Sequence, residues 1–211
     1  MTLLYLVRHG ETEWNFQRRI QGSTDVPLND TGREQARATG RLLSRRNWDL
    51  VVASPLSRAL ETASIIAEEI GLPSPTPIDG IVERNYGAAE GMTDRELAAT
   101  FLGDSPVPGR ESREAVAARV IPALLQLAEQ HHGESIIVVS HGGVIRSVLT
   151  EIEPHGEHGS IRNGSIHSFQ HVDGALELLA FDDPIEIESL ATGTEELEVQ
   201  NPIERRESAG R

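Results

Sequence analysis

Apolar residues along the chain gather into short unbroken runs, separated by longer stretches in which they recur at helical spacing. Residues 3–7 (LLYLV), 50–53 (LVVA) and 135–140 (SIIVVS) are runs of the first kind, and they read as strands buried on both faces of a sheet. The helical period predicts helices from residue 29 or 31 to 46, from 54 to about 70, over 93–102, over 111–132, and from 144 to about 151. Pro55 suits a first helical turn and places Arg58 within it, and Gly71-Leu72-Pro73 ends that helix. Residues 165–172 and 175–180 flank Asp173-Gly174 as the two arms of a hairpin would. Strands alternating with helices predict an α/β fold, a three-layer α/β/α domain around a mostly parallel sheet.

Some stretches show neither period. The segment after residue 10 ends in Gln21-Gly22-Ser23-Thr24-Asp25-Val26-Pro27-Leu28, turn chemistry that predicts a loop long enough to line a pocket. Residues 72–79 read as an extended proline-rich piece leading to Glu83-Arg84-Asn85-Tyr86-Gly87. Beyond residue 181 no apolar period is sustained, and the last thirty residues hold nine Asp or Glu against three Arg. The expected organisation is a domain over 1–181 and an acidic tail over 182–211, with Ile185, Ile187 and Leu190 available to pack on the domain or on a second subunit.

Composition narrows the chemistry. A chain of 211 residues with 38% apolar content suits one domain with a full core. No run reaches the roughly 18 apolar residues of a membrane span, and residues 1–30 lack the pattern of a signal peptide, which predicts a cytoplasmic protein. A formal charge of −14 argues against nucleic acid as a partner, because that binding needs a basic surface. Cysteine is absent, and all 19 basic residues are arginine. Thiolate nucleophiles, cysteine metal sites, Schiff bases and the lysine-dependent phosphate loop are therefore excluded, so any anion site is built from arginine.

Strand-histidine-glycine occurs twice, at His9-Gly10 and at His141-Gly142. Ligands of open α/β sheets bind beyond the carboxyl ends of the strands, so two histidines on neighbouring strands would converge where substrates sit. The second histidine also precedes a helix, whose free N–H groups make an anion site. Arg8 and Arg58 supply guanidinium forks that match phosphate oxygens. A neutral imidazole can attack phosphorus directly, and His9 is the better candidate because an arginine precedes it and a lining loop follows. His141 would donate to the phosphoryl oxygens, its protonation favoured by a bound dianion. The leaving alkoxide needs a proton that arginine cannot give, and Glu83 or Glu90, with a pKa raised by burial, could supply it.

Six short motifs occur in order: RHGETEWN at 8–15, QG at 21–22, SPLSRALETA at 54–63, ERNYG at 83–87, EG at 90–91 and SHGG at 140–143. From residue 3 to about 150 the chain resembles the histidine phosphatase superfamily, also called the phosphoglycerate mutase-like family. The resemblance implies that His9 becomes a phosphohistidine, that Arg8, Asn15, Arg58 and His141 hold the phosphoryl group, and that Glu83 acts first as acid and then as base. It also implies that Gln21, Gly22 and the Gly142 backbone complete the pocket, that Glu90 is a supporting residue, and that neither metal nor organic cofactor is needed.

Mutases of the family carry a long basic insertion after the Glu-Gly pair and usually read His-Gly-Asn at the second histidine. Here Arg95 and Arg110 are the only basic residues between Gly91 and Glu111, and the second motif is His141-Gly142-Gly143. Pro108-Gly109-Arg110-Glu111-Ser112 also resembles an element of the phosphatase branch. Against these, Glu83-Arg84-Asn85-Tyr86 is close to the mutase version, with Arg84 placed to hold a substrate carboxylate.

The reading is a phosphomonoesterase acting on a small phosphorylated metabolite. A cofactor-dependent phosphoglycerate mutase is the first alternative, and a non-catalytic phosphate-binding or scaffold protein is the alternative of another class. Specificity would rest on Arg18, Arg19, Arg84, Tyr86, Arg110 and their loops, and the sequence leaves a homodimer open. His155 and His158 sit in an acidic surface loop whose spacing fits no standard metal site. His131 and His132 read as capping or solvated residues, and Arg33, Arg37, Arg41 and Arg45 as a solvated helix face.

Overall fold

The three unbroken apolar runs become strands buried on both sides, as their composition requires. In a computed structural model, which describes residues 1–102, 105–185 and 203, they form β1 (Thr2–Arg8), β2 (Leu50–Ala53) and β4 (Ser135–Ser140). β3 (Thr76–Pro77) and the hairpin of β5 (Ile166–Val172) and β6 (Ala175–Ala180) complete a six-stranded sheet in the order β3-β2-β4-β1-β5-β6. The first four strands in that order run parallel, while β5 pairs antiparallel with β1 and β6 with β5.

Alternate side chains of the central strands fill two separate cores. Leu4, Leu6, Ile136 and Val138 pack against α5 (Arg113–Gln130) and α6 (Gly142–Ile152). Tyr5, Val7, Ile137 and Val139 pack on the opposite face, against α3 (Ser57–Ile70) and the end of α2 (Asp30–Leu43). The result is the three-layer arrangement that the sequence pattern predicts.

Local chemistry places the helix ends. Asn29 caps α2 by accepting the Gly32 N–H at 2.8 Å. The residue before α3, Leu56, has no capping side chain, and Asp25 from the loop serves instead, accepting the Ser57 N–H at 2.9 Å and its hydroxyl at 2.7 Å. Gly71, with φ 73°, ends α3 in the left-handed conformation that glycine tolerates.

Several boundaries differ from the periodicity. α1 (Glu13–Phe16) is a single turn fixed by a reciprocal cap between Thr12 and Asn15, too short to show a period. β3 is a two-residue edge strand, a position where proline costs no ladder bond. α3 starts at Ser57 and not at residue 54, and α6 starts at Gly142 because its glycines carry no apolar signal. α4 (Asp94–Thr100) and α5 are each slightly shorter than predicted. Ile185 belongs to the same core as Leu43 and Trp48, whereas residues 186–202 and 204–211 of the expected tail, Ile187 and Leu190 among them, lie outside the described residues. Arg33 pairs with Glu61 and Asp30, and Arg37 with Glu34, as a solvated face would. No helix of the described residues is long and apolar enough to cross a membrane.

The loop leaving β1 meets the first turn of α2 backbone to backbone. A Cβ on Gly32 would lie 2.1 Å from the Glu11 carbonyl oxygen, and one on Gly10 would lie 2.3 Å from that of Gly32. Gly32→Ala is therefore expected to lower stability by about 1–3 kcal/mol, read as a lower urea midpoint at unchanged slope. Thr31→Ala, on the exposed side next to it, stays within about 0.5 kcal/mol. A wild-type midpoint for Gly32→Ala would refute the close approach.

Candidate active site

β1 and β4 are parallel neighbours with Arg8 opposite Ser140, so the residues just beyond them, His9 and His141, reach the same end of the sheet. Their rings lie 5.1 Å apart, centroid to centroid, at 60°. His9 Nδ1 sits 2.7 Å from the Gly10 carbonyl oxygen. A carbonyl only accepts, so Nδ1 carries the proton and Nε2 keeps its lone pair. Burial, and then the guanidinium groups of Arg58 and Arg8, push the His9 pKa well below 6.5 against the smaller opposing effect of the Gly10 bond. At pH 7 the ring is neutral and Nε2 is the atom left for chemistry.

His141 occupies the position before α6 without capping it through its side chain, and its Nε2 is 2.8 Å from Ser54 Oγ. Its Nδ1 is buried and has no partner among the described residues. Burial, followed by Arg58, His9 and Arg8, lowers its pKa well below 6.5, so this ring too is neutral before any ligand arrives.

The arginines are held by main-chain carbonyls. Arg58 is fully buried in the first turn of α3 and donates to Thr24 O at 3.0 Å and Gly22 O at 2.7 Å. Burial lowers its pKa to about 10, with Glu83 and Asp25 acting in the opposite sense, and it stays charged at pH 7. Arg8 donates to Ile161 O at 2.6 Å, and a Cβ on Gly142 would come within 3.4 Å of its Nε. Gln21 accepts from the Thr12 hydroxyl at 2.8 Å, and Asn15 accepts the Thr12 N–H at 3.2 Å. Arg58 Nε and Gln21 Nε2 are buried donors with no acceptor among the described residues, and His141 Nδ1 is likewise buried without a partner among them. Such donors cost free energy unless something accepts from them, and an anion would.

Glu83 takes a place that the sequence reserves for the ligand. The second and third amides of α6, from Gly143 and Val144, each donate to one of its carboxyl oxygens at 3.2 Å, and the Arg84 N–H donates at 2.7 Å. The helix N-terminus expected to face phosphate thus holds Glu83 at these two amides. A Cβ on Gly143 would lie 2.6 Å from Glu83 Oε1 and 2.8 Å from the Tyr86 hydroxyl, so a side chain there would displace one or both of these groups from the positions they hold. For Glu90 the expectation of a raised pKa fails. Burial acts to raise it, but bonds from Thr24, Ser23 and Tyr86 outweigh burial and lower it. Its carboxylate accepts the Ser23 N–H at 2.9 Å, the Thr24 N–H at 2.8 Å and the Tyr86 N–H at 3.1 Å. Glu90 thereby ties the loop that holds Arg58 to the segment that carries Glu83.

Arg84 is buried, donates to the Glu111 carbonyl at 2.8 Å and lies 5.2 Å from the centre of the Tyr86 ring. It braces the segment after Glu83. Three further residues serve the site without having been singled out. Ser54 holds His141, and Thr62 accepts the Gly10 N–H at 3.1 Å while donating to Arg58 O at 2.7 Å. Asn163 donates to the His9 carbonyl at 2.9 Å. Thr62 lies one helical turn after Arg58, a usable signal, whereas nothing local marks Asn163. Among the described residues no group of His, Cys, Asp and Glu is arranged to hold a metal.

Residues 4–184 match the model of the histidine phosphatase superfamily (branch 1). The chain is 43% identical over 152 residues to the uncharacterized phosphatase PhoE of Bacillus subtilis, a stretch covering 72% of this chain and 78% of that protein. It is 30% identical over 207 residues to a 2,3-bisphosphoglycerate-dependent phosphoglycerate mutase of Cytophaga hutchinsonii, covering 90% and 93%. A mutant of Entamoeba histolytica phosphoserine phosphatase, solved with phosphoserine, superimposes with a TM-score of 0.73 at 32% identity over 87% of this chain and 98% of that one. On its fold, its paired histidines and these matches, the chain belongs to the histidine phosphatase superfamily.

Proposed function

We propose that the protein is a phosphomonoesterase that passes the phosphoryl group of a small phosphorylated metabolite to His9 and from there to water. The observation that carries this reading is the state of His9, neutral and with Nδ1–H held by Gly10, which leaves Nε2 as a nucleophile beside two buried arginines. Nε2 attacks phosphorus, the ester P–O bond breaks, and the leaving alkoxide takes a proton from the Glu83 carboxyl group. Glu83, now a carboxylate, accepts a proton from water as its oxygen attacks the phosphohistidine, releasing inorganic phosphate and restoring His9. Arg8, Asn15, Gln21, Arg58, His141 and the backbone of Gly22 and Gly142 hold the phosphoryl oxygens, whose charge grows in the transition state.

Water as the acceptor is favoured by the short segment after Gly91, where Arg95 and Arg110 are both exposed. The bracing of Arg84 against Glu111 and Tyr86 also engages the residue that a mutase reading would turn toward a substrate carboxylate. Phosphatase-named relatives and structures support the same choice.

His9→Ala is expected to lower hydrolysis of p-nitrophenyl phosphate by roughly a thousandfold or more and to abolish the acid-labile phosphoenzyme; wild-type phosphate release from that variant would sink the mechanism. With 3-phosphoglycerate and a trace of the bisphosphate, the expected product is inorganic phosphate. Accumulation of 2-phosphoglycerate would make the protein a mutase instead.

Depressed pKa values also fix the sign of the pH response. An imidazole with a lowered pKa stays unprotonated as pH falls through 6.5, so neither His9 nor His141 should titrate between pH 8 and 6 in histidine-selective NMR of the free protein. A midpoint near 6.5 for either ring would contradict the buried, arginine-flanked setting.

A further inference from the structure

Ile203 lies beyond residue 184, where the family match ends, and yet it is built into the wall of the site. It is 2% exposed and packs in a third, small core with Ile20, Tyr86, Ala89 and Leu97. Each of its neighbours belongs to a segment that serves the phosphate pocket. Ile20 directly precedes Gln21 and Gly22, and its backbone is paired with the Glu-Gly segment through Ile20 N–H to Met92 O and Gly91 N–H to Ile20 O, both at 2.8 Å. Tyr86 lies between Glu83 and Glu90, donates its N–H to Glu90, and has its hydroxyl beside Gly143. Ala89 adjoins Glu90, and Leu97 is the buried residue of α4, whose N-terminus follows directly.

Among the described residues this third core is smaller than the two that flank the sheet, with five buried residues and the partly buried Met92, Phe101 and Val107 packed against them. A region with few buried apolar contacts has a low local opening free energy, so each of its five buried residues, Ile203 among them, counts in keeping it closed. The two loops that it joins carry Gln21, the Gly22 carbonyl on Arg58, Glu83 and Glu90. A displacement of about 1 Å in such groups is enough to cost catalysis heavily.

We infer that Ile203 is a positioning residue, an apolar prop from outside the family-matched region that holds residues 20–22 and 83–90 in register around the phosphoryl group. The inference rests on the phosphatase reading above for its effect on turnover, though not for the packing itself.

The test compares full-length wild type with Ile203→Val, Ile203→Ala and Ile203→Asp. Amide hydrogen exchange is followed over residues 16–24 and 86–94, and kcat and KM for p-nitrophenyl phosphate are measured well below the unfolding midpoint. In Ile203→Asp those two stretches should exchange roughly tenfold faster or more, with β1 and β4 protected as in wild type. kcat should fall by roughly tenfold, while Ile203→Val stays within about twofold of wild type. Ile203→Ala should fall between them, and it decides the matter if the aspartate variant does not fold.

Wild-type exchange in both stretches would overturn the prop. Faster exchange with unchanged kcat would overturn its positioning role, as would an equal loss of protection in β1 and β4. Should wild type hydrolyse no phosphomonoester, the phosphatase reading fails by itself, and the exchange data still decide whether Ile203 holds the wall.

Discussion

A guanidinium taken fully out of water must be surrounded by acceptors, and the arrangement of this protein follows from how that demand is met at Arg58. Its terminal N–H groups are taken by the carbonyls of Gly22 and Thr24, which obliges the loop after α1 to wrap over the start of α3. Asp25 in the same loop then becomes the cap that α3 lacks locally, and Glu90 clamps the loop from the other side. Burial brings Arg58 down to about 10, still well above neutral pH. A lysine lowered by a similar amount would titrate at about 8 and hold its charge less securely. That is a physical reason for a pocket built from arginine in a chain whose net charge is −14.

Burial, with the positive charge enclosed beside them, determines the state of the histidines. Desolvation and the neighbouring guanidinium groups keep His9 and His141 neutral, and the Gly10 carbonyl selects the tautomer of His9. An imidazolium there would be both useless as a nucleophile and repelled by its surroundings. In its carboxylate form Glu83 supplies the opposite field, acting on both Arg8 and Arg58, and it is anchored in turn by the Gly143 and Val144 amides of α6. Gly143 suits that anchoring, because a Cβ at 143 would lie 2.6 Å from the carboxyl oxygen and push it from its place.

Much of this was legible along the chain. The central strands and the flanking helices could be read because each is buried on both faces or along one stripe. His9, His141, Arg58 and Glu83 could be placed because each belongs to a short motif with a definite local setting. α1 and β3 could not, since a single turn and a two-residue edge strand are shorter than any period. The contest between Glu83 and Glu90 was open on residue type alone, and it is the five hydrogen bonds from Ser23, Thr24 and Tyr86 that make Glu90 a clamp.

By itself, the amino-acid order determined the layered α/β fold, the pairing of two strand-end histidines and the reliance on arginine, because these depend on local period and on which side chains exist at all. Only the tertiary structure decided which groups meet: Ser54 on His141, Asn163 on the His9 carbonyl, Glu83 on the helix N-terminus, and Ile203 against Ile20 and Tyr86. Such contacts join segments far apart in the chain, and their energies come from burial and from satisfied donors that no local window contains. The role of His9 as nucleophile could be proposed from its motif, but its neutral ring and its available nitrogen depend on the desolvated pocket that the fold closes around it.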